Sequence, residues 1–245
     1  MTFACCAIVP TYDNPRTVRA VVERVRAQVP DVIVVDDGSG PEARAVADAI
    51  ERDGLAAVHR RAANGGKGAA VKDGLRLAAG RGFTHALQVD ADGQHDLDAV
   101  ARFVDAARAA PDSLVLGYPE FDASAPSLRM KARQITQFWA HIETAGRVIT
   151  DPMCGFRVYP VGAALATDTR GDAMDFDIEI AVRLVWMGVP VINLPVRVRY
   201  VPRDEGGVSH FRMFRDNALI SWAHTRLALT RLAMALGVVR AGRRP

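Results

Sequence analysis

Two acidic residues spaced by one, Asp90 and Asp92, are the most chemically pointed feature of this 245-residue chain. They follow an apolar run, 83–89, that reads as a buried strand. Alternate residues of extended chain point the same way. Two carboxylates on one side, with no Lys or Arg near them in sequence, repel unless a cation joins them. Mg²⁺ and Mn²⁺ prefer such hard oxygen ligands and commonly bridge to substrate phosphates. A solvated acidic turn is the plain alternative, and the position after an apolar strand favours the metal.

Three further polar clusters stand in the same kind of place. Pro10-Thr11-Tyr12-Asp13-Asn14 follows the apolar run 5–9, and Asp36-Asp37-Gly38-Ser39 follows 31–35. Asn64-Gly65-Gly66-Lys67-Gly68 comes after 56–59. Open parallel sheets bind ligands beyond the carboxyl ends of their strands, so four such clusters outline one composite site. Bare glycine amides, Lys67 and the positive end of the next helix suit a phosphate, although a turn with a solvated Lys reads equally well. The loop is no P-loop, because Gly68 follows Lys67, and no Gly-x-Gly-x-x-Gly follows the first strand. Asp37 can accept hydrogen bonds from a ribose or base, and Asp36 can equally cap the next helix. Asp175, Asp177 and Glu179 cluster at a helix start. Dipole complementarity explains them, or one is a general base for an acceptor hydroxyl, with Asp177 first and Glu179 the alternate.

Apolar spacing places helices at 15–28, 41–52, 68–79 and 97–109 between those strands, and a further strand at 113–116. Alternation of this kind implies crossovers and a mainly parallel sheet. Beyond it lie one long helix at 128–148, a short one at 162–166 and another at 177–186. Strand signals at 189–200 are interrupted by Pro195, a Gly-rich polar loop covers 203–209, and an apolar helix spans 217–236. The expected class is α/β: a Rossmann-like sheet flanked by helices, with a helical C-terminal segment.

The 49% apolar and 24% charged content excludes general disorder. The net charge of +3 hides an asymmetry: residues 197–245 hold ten Arg against three acids, +7, leaving −4 elsewhere. A basic tail suggests nucleic acid, a phosphorylated ligand or an anionic membrane surface. Its lack of a recognised motif argues against nucleic acid. Three cysteines form no disulfide framework and lack zinc-finger spacing, which points to a reducing compartment. Neither a signal peptide nor a spanning helix is expected.

Together the motifs resemble the family 2 glycosyltransferases of the GT-A fold. The matching segments are Val9-Pro-Thr-Tyr-Asp-Asn14, Val34-Val-Asp-Asp-Gly-Ser39, Asn64-Gly-Gly-Lys-Gly68, Asp90-Ala-Asp-Gly-Gln-His95, Asp151-Pro-Met-Cys-Gly-Phe-Arg157 and Phe176-Asp-Ile-Glu179. The look is that of the dolichyl-phosphate mannose synthase-like branch. The resemblance implies a GT-A domain over 1–215 and a nucleotide-sugar donor. Pro10, Tyr12, Asn14 and Asp37 would hold its nucleoside. Asp90, Asp92 and Gln94 would meet a divalent metal, Mg²⁺ or Mn²⁺, and the diphosphate. Arg157 and Arg203 would bind phosphate oxygens. Asn14 stands where the family usually has Glu, and Ser209-His210 where it often has Ser-Lys, so the cationic contact falls to His210 or moves to Arg212. Inversion at the anomeric carbon is expected, as in the family.

The same resemblance implies that the long helix meets a lipid-phosphate or glycolipid acceptor. Arg129 and Arg133, at i and i+4, share a face there. Segment 216–245 is expected to lie on the cytoplasmic, inner face of the membrane, with Trp222 at headgroup depth. The alternative is packing in the core or on a second subunit of an oligomer. A soluble transferase for a hydroxyl acceptor and a non-catalytic nucleotide-sugar binder are the rival functions. The intact Asp90, Asp92 and Asp177 argue against the binder.

Overall fold

The computed structural model describes residues 2–121, 127–199 and 212–239. The apolar runs become β1 (Cys5–Thr11), β2 (Val32–Asp36), β3 (Ala57–Arg60) and β4 (His85–Gln88), all parallel and ordered β3-β2-β1-β4. The links between them are α1 (Val18–Arg26), α2 (Pro41–Arg52) and α3 (Lys67–Gly80). In β1, Ala7 and Val9 face one core layer with α1, and Cys6 and Ile8 face the other with α3. A strand buried on both faces reads as an unbroken apolar run, which is why these strands were legible.

The sheet continues through α4 (Val100–Ala109), β5 (Leu114–Phe121), α5 (Ser127–Glu143), β6 (Arg157–Pro160), α6 (Val161–Leu165), α7 (Phe176–Trp186), β7 (Val191–Val198) and α8 (Met213–Ala235). The full order is β3-β2-β1-β4-β6-β5-β7, with β6 antiparallel to both neighbours. The sheet is mainly parallel, as expected, but β6 was not foreseen: four residues opening on Arg157 and closing on Pro160 carry no strand pattern. Pro195 does not interrupt β7, because β7 is the edge strand of the sheet, with β5 as its neighbour in the strand order, and a missing N–H is tolerated there.

Two helix ends differ most from the sequence expectation. The helix expected over 128–148 stops at Glu143, where Ala145 takes φ 54° and the Gly146 N–H reaches the His141 carbonyl. Helix α8 starts four residues earlier than expected, because the Asp216 carboxylate accepts the Arg212 N–H at 2.6 Å. Ile220, Ala223 and Leu227 bury one side of α8 against the body of the protein. Among the described residues no helix is long and apolar enough to cross a membrane.

Register assembles the polar clusters. Thr11 pairs with Asp36 and Ile8 with Gln88, and the Asp37 N–H bonds the Thr11 carbonyl at 2.9 Å. The ends of β1, β2 and β4 thereby open side by side on one edge of the sheet.

Candidate active site

A cleft of about 320 Å³ lies at those strand ends. Its wall brings together Pro10, Tyr12, Asn14, Asp37, Lys67, Asp90, Asp92, Gln94 and Asp177, all singled out from sequence. Arg133 from α5 and Arg212 at the start of α8 join them. Arg203 and His210 lie outside the described residues, as does the side chain of Arg129.

The acidic pair is not free of cations. Lys67 Nζ sits 2.7 Å from Asp90 Oδ1 and 2.8 Å from Asp177 Oδ2. This corrects the expectation of unpaired carboxylates for Asp90, whose partner lies 23 residues away in the chain. Burial opposes the lysine's charge, but Asp177 and Asp90 outweigh it and hold the ammonium well above its ordinary range. Burial likewise opposes ionisation of Asp90, and Lys67 reverses the balance downward. Asp92 is pushed up, by burial first and then by the charge of Asp90. It accepts the Gln94 N–H at 3.0 Å.

The donor set fits a hard divalent cation. Two carboxylates open on one cleft, and the strain on the charge of Asp92 is what a cation would relieve. Among the described residues no group of three or more His, Cys, Asp or Glu is arranged around a metal position. Asp90 and Asp92 would therefore share the ion with ligand oxygens, the usual habit of Mg²⁺.

The geometry gives four of the expected site groups partners within the protein. The amides of Gly65 and Gly66 do not point to an open phosphate site; they bond Asp37 at 3.0 and 2.8 Å. Asp37 also takes Arg61 Nη1 at 2.8 Å, so its carboxylate is already engaged as it faces the cleft. Arg157 is fully buried and holds the carbonyls of Pro152, Cys154 and Asp177. It does not line the cleft. Glu179, the alternate base, lies off the cleft, with Arg183 at 2.8 Å, Arg226 at 3.1 Å and the Gly171 N–H at 2.8 Å. It ties α7, α8 and the 170–171 turn together.

Asp177 does line the cleft, but both its oxygens are engaged: Gln88 Nε2 donates to Oδ1 at 3.1 Å, and Lys67 holds Oδ2. Two roles escaped sequence reading. Asp151 fixes Arg133 at 2.6 Å, and Arg133 also lies over the Phe121 ring. Arg215 lines the cleft one helical turn after Arg212. The i, i+3 spacing was the available signal for Arg215, and the place of Asp151 in a quoted motif was the signal for it.

The sequence profile described as Glycosyl transferase family 2 matches residues 6–163, well over half the chain. The chain belongs to glycosyl transferase family 2. This glycosyltransferase is 28% identical over 212 residues to an undecaprenyl-phosphate mannosyltransferase of Micrococcus luteus, covering 81% of this chain and 84% of that one. It is also 28% identical over 203 residues to a polyprenol monophosphomannose synthase of Mycolicibacterium smegmatis, covering 77% and 75%. Both relatives are of the dolichyl-phosphate mannose synthase-like branch. Among solved structures, glucosyl-3-phosphoglycerate synthase from Mycobacterium tuberculosis with uridine diphosphate gives a TM-score of 0.68 at 16% identity, covering 98% and 82%. The same enzyme with Mn²⁺ and UDP-glucose gives 0.66 at 14% identity, covering 98% and 81%. The glycosyltransferase therefore has the GT-A fold.

Proposed function

We propose that this enzyme transfers a hexosyl group, mannosyl by analogy with its relatives, from a nucleotide sugar to a polyprenyl phosphate or similar lipid-linked acceptor. In this reading transfer is metal-dependent and inverting, and takes place on the cytoplasmic face of the membrane. The carrying observation is that Arg133, Arg212 and Arg215 line the same cleft as Asp90 and Asp92. One end suits a cation and a diphosphate, and the other suits an anionic acceptor.

Pro10, Tyr12, Asn14 and Asp37 are assigned to the nucleoside, and Asp90, Asp92 and Gln94 to the metal and diphosphate. When bound by these residues, a divalent ion would supply charge neutralisation for the departing diphosphate. Lys67, fixed between two carboxylates, adds a positive charge at the same end. Arg212 and Arg215 orient the acceptor phosphate, whose oxygen attacks the face opposite the leaving group and inverts the anomeric centre. A phosphate is already ionised at neutral pH and needs no base. That agrees with an Asp177 engaged on both oxygens. A neutral hydroxyl acceptor would need a base, and Asp177, the first candidate, is held on both oxygens by Gln88 and Lys67.

The test is a panel of nucleotide sugars with Mg²⁺ and Mn²⁺ against polyprenyl phosphates and soluble hydroxyl acceptors. Product with the lipid phosphate alone is expected; product only with hydroxyl acceptors sinks the reading. In the same assay Arg212→Ala/Arg215→Ala should raise the acceptor KM by about tenfold or more, from the charge-assisted hydrogen bonds lost. Donor hydrolysis should stay near wild type. An unchanged acceptor KM would remove these arginines from the acceptor site.

Membrane contact is assigned to exposed apolar side chains on α5 and α8. Ile135, Phe138, Trp139 and Ile142 form an i, i+3, i+4, i+7 stripe on α5, and Phe214, Trp222, Leu229 and Leu232 stand out from α8. Phe138→Glu/Trp222→Glu should weaken co-sedimentation with anionic vesicles at least about tenfold, since burial of each ring contributes on the order of 2 kcal/mol. Vesicle binding equal to wild type would exclude this surface.

A further inference from the structure

We propose that Lys67 is an internal competitor for the divalent cation, so that metal and diphosphate bind this enzyme as a coupled pair. The inference rests on the assignment of Asp90 and Asp92 to the metal. Lys67 Nζ lies 2.7 Å from Asp90 Oδ1 and 2.9 Å from Oδ2, so one ammonium spans both oxygens of a carboxylate that the metal would use. An ammonium and a divalent ion on one partly buried carboxylate repel strongly, because little water lies between them to screen the charges.

Lys67 has a second seat. Asp177 Oδ2 is 2.8 Å away, on a side chain that is only 4% exposed. The lysine can therefore yield Asp90 to a metal and remain paired. The packing around it is close: a Cβ on Gly155 would overlap both Asp90 Oδ2 and Lys67 Nζ. The lysine has no slack on that side, so its yielding is directed toward Asp177 and the cleft, which it lines. A diphosphate entering that cleft brings the negative charge that both cations need. Metal alone must displace the lysine against repulsion, whereas metal with diphosphate need not. By linkage, each ligand then strengthens the other by the same factor.

The probes are Mn²⁺ alone, followed by electron paramagnetic resonance, and inorganic pyrophosphate at matched free Mn²⁺. The proteins are the full chain, Lys67→Met and Lys67→Met/Asp177→Asn, in which the charges lost balance. Both variants are expected to bind Mn²⁺ alone at least about tenfold more tightly than wild type. Pyrophosphate should tighten wild-type Mn²⁺ binding about tenfold or more and should do so much less in the variants. Mn²⁺ affinity no higher in the variants than in wild type overturns the proposal. If Lys67→Met fails to fold, the charge-balanced double variant decides. Mn²⁺ bound by none of the proteins, even with pyrophosphate, overturns the metal assignment and this proposal together. Coupling that behaves as described, alongside no transfer to any lipid phosphate, supports the proposal and faults the acceptor reading alone.

Discussion

Asp92→Asn is expected to lower the transfer rate by about a thousandfold or more while leaving the fold intact, since electrostatic and metal contributions of several kcal/mol to the transition state are involved. The amide is isosteric and its oxygen still accepts the Gln94 N–H, now held at 3.0 Å by the carboxylate. What disappears is one negative charge beside Asp90. Burial and the Asp90 charge both resist ionisation of Asp92, so that charge destabilises the folded state as pH rises through its elevated pKa. The melting temperature of Asp92→Asn should therefore equal or exceed that of wild type near neutral pH. Rate at saturating Mn²⁺ and melting temperature, measured on one preparation, separate chemistry from folding. A rate near wild type would remove Asp92 from the metal site.

Arg157→Met should show the opposite pattern, a stability defect first. The guanidinium is wholly buried and donates to the carbonyls of Pro152, Cys154 and Asp177. It lies over the Tyr159 ring, whose hydroxyl donates to Gln88, and Gln88 in turn donates to Asp177. Methionine fills much of the volume but leaves those carbonyls unpaired and removes the second cation from beside Asp177, 3.8 Å away. Breaking a buried charged network by removing one partner costs about 3–5 kcal/mol. For a domain of this size that is a fall of roughly 6–20 °C in melting temperature. Lysine should not rescue it, because a point ammonium cannot span several carbonyls as a planar fork does. Thermal and urea unfolding read the effect, and a loss under about 1 kcal/mol would show that the clamp is dispensable.

These two residues mark where sequence reasoning succeeds and where it stops. Asp92 was legible because a buried parallel strand is an unbroken apolar run, and the residues just past it must lie at the ligand-binding edge. The same reasoning located Tyr12, Asp37 and Lys67, and the cleft gathers all of them. Arg157 marks the limit for a reason equally physical. An arginine in a motif reads the same whether its fork meets a ligand phosphate or three backbone carbonyls, and only burial tells them apart. Glu179 repeats the lesson, since an acid at a helix start can serve a substrate or hold Arg183 and Arg226. Strand β6 was missed because it is four residues long and its pairing with β4 and β5 is entirely non-local.

The order of apolar runs and polar clusters along the chain was enough to establish an α/β sheet, the family and the acidic end of the cleft, because those depend on local pattern and on a general rule about strand ends. Which charges meet could not be read that way. Lys67 reaches Asp90 from 23 positions away and Asp177 from farther still, and Arg133 comes to Asp151 from another helix. Coulombic partners are set by distance in space, and that distance exists only after the sheet has brought its strand ends together.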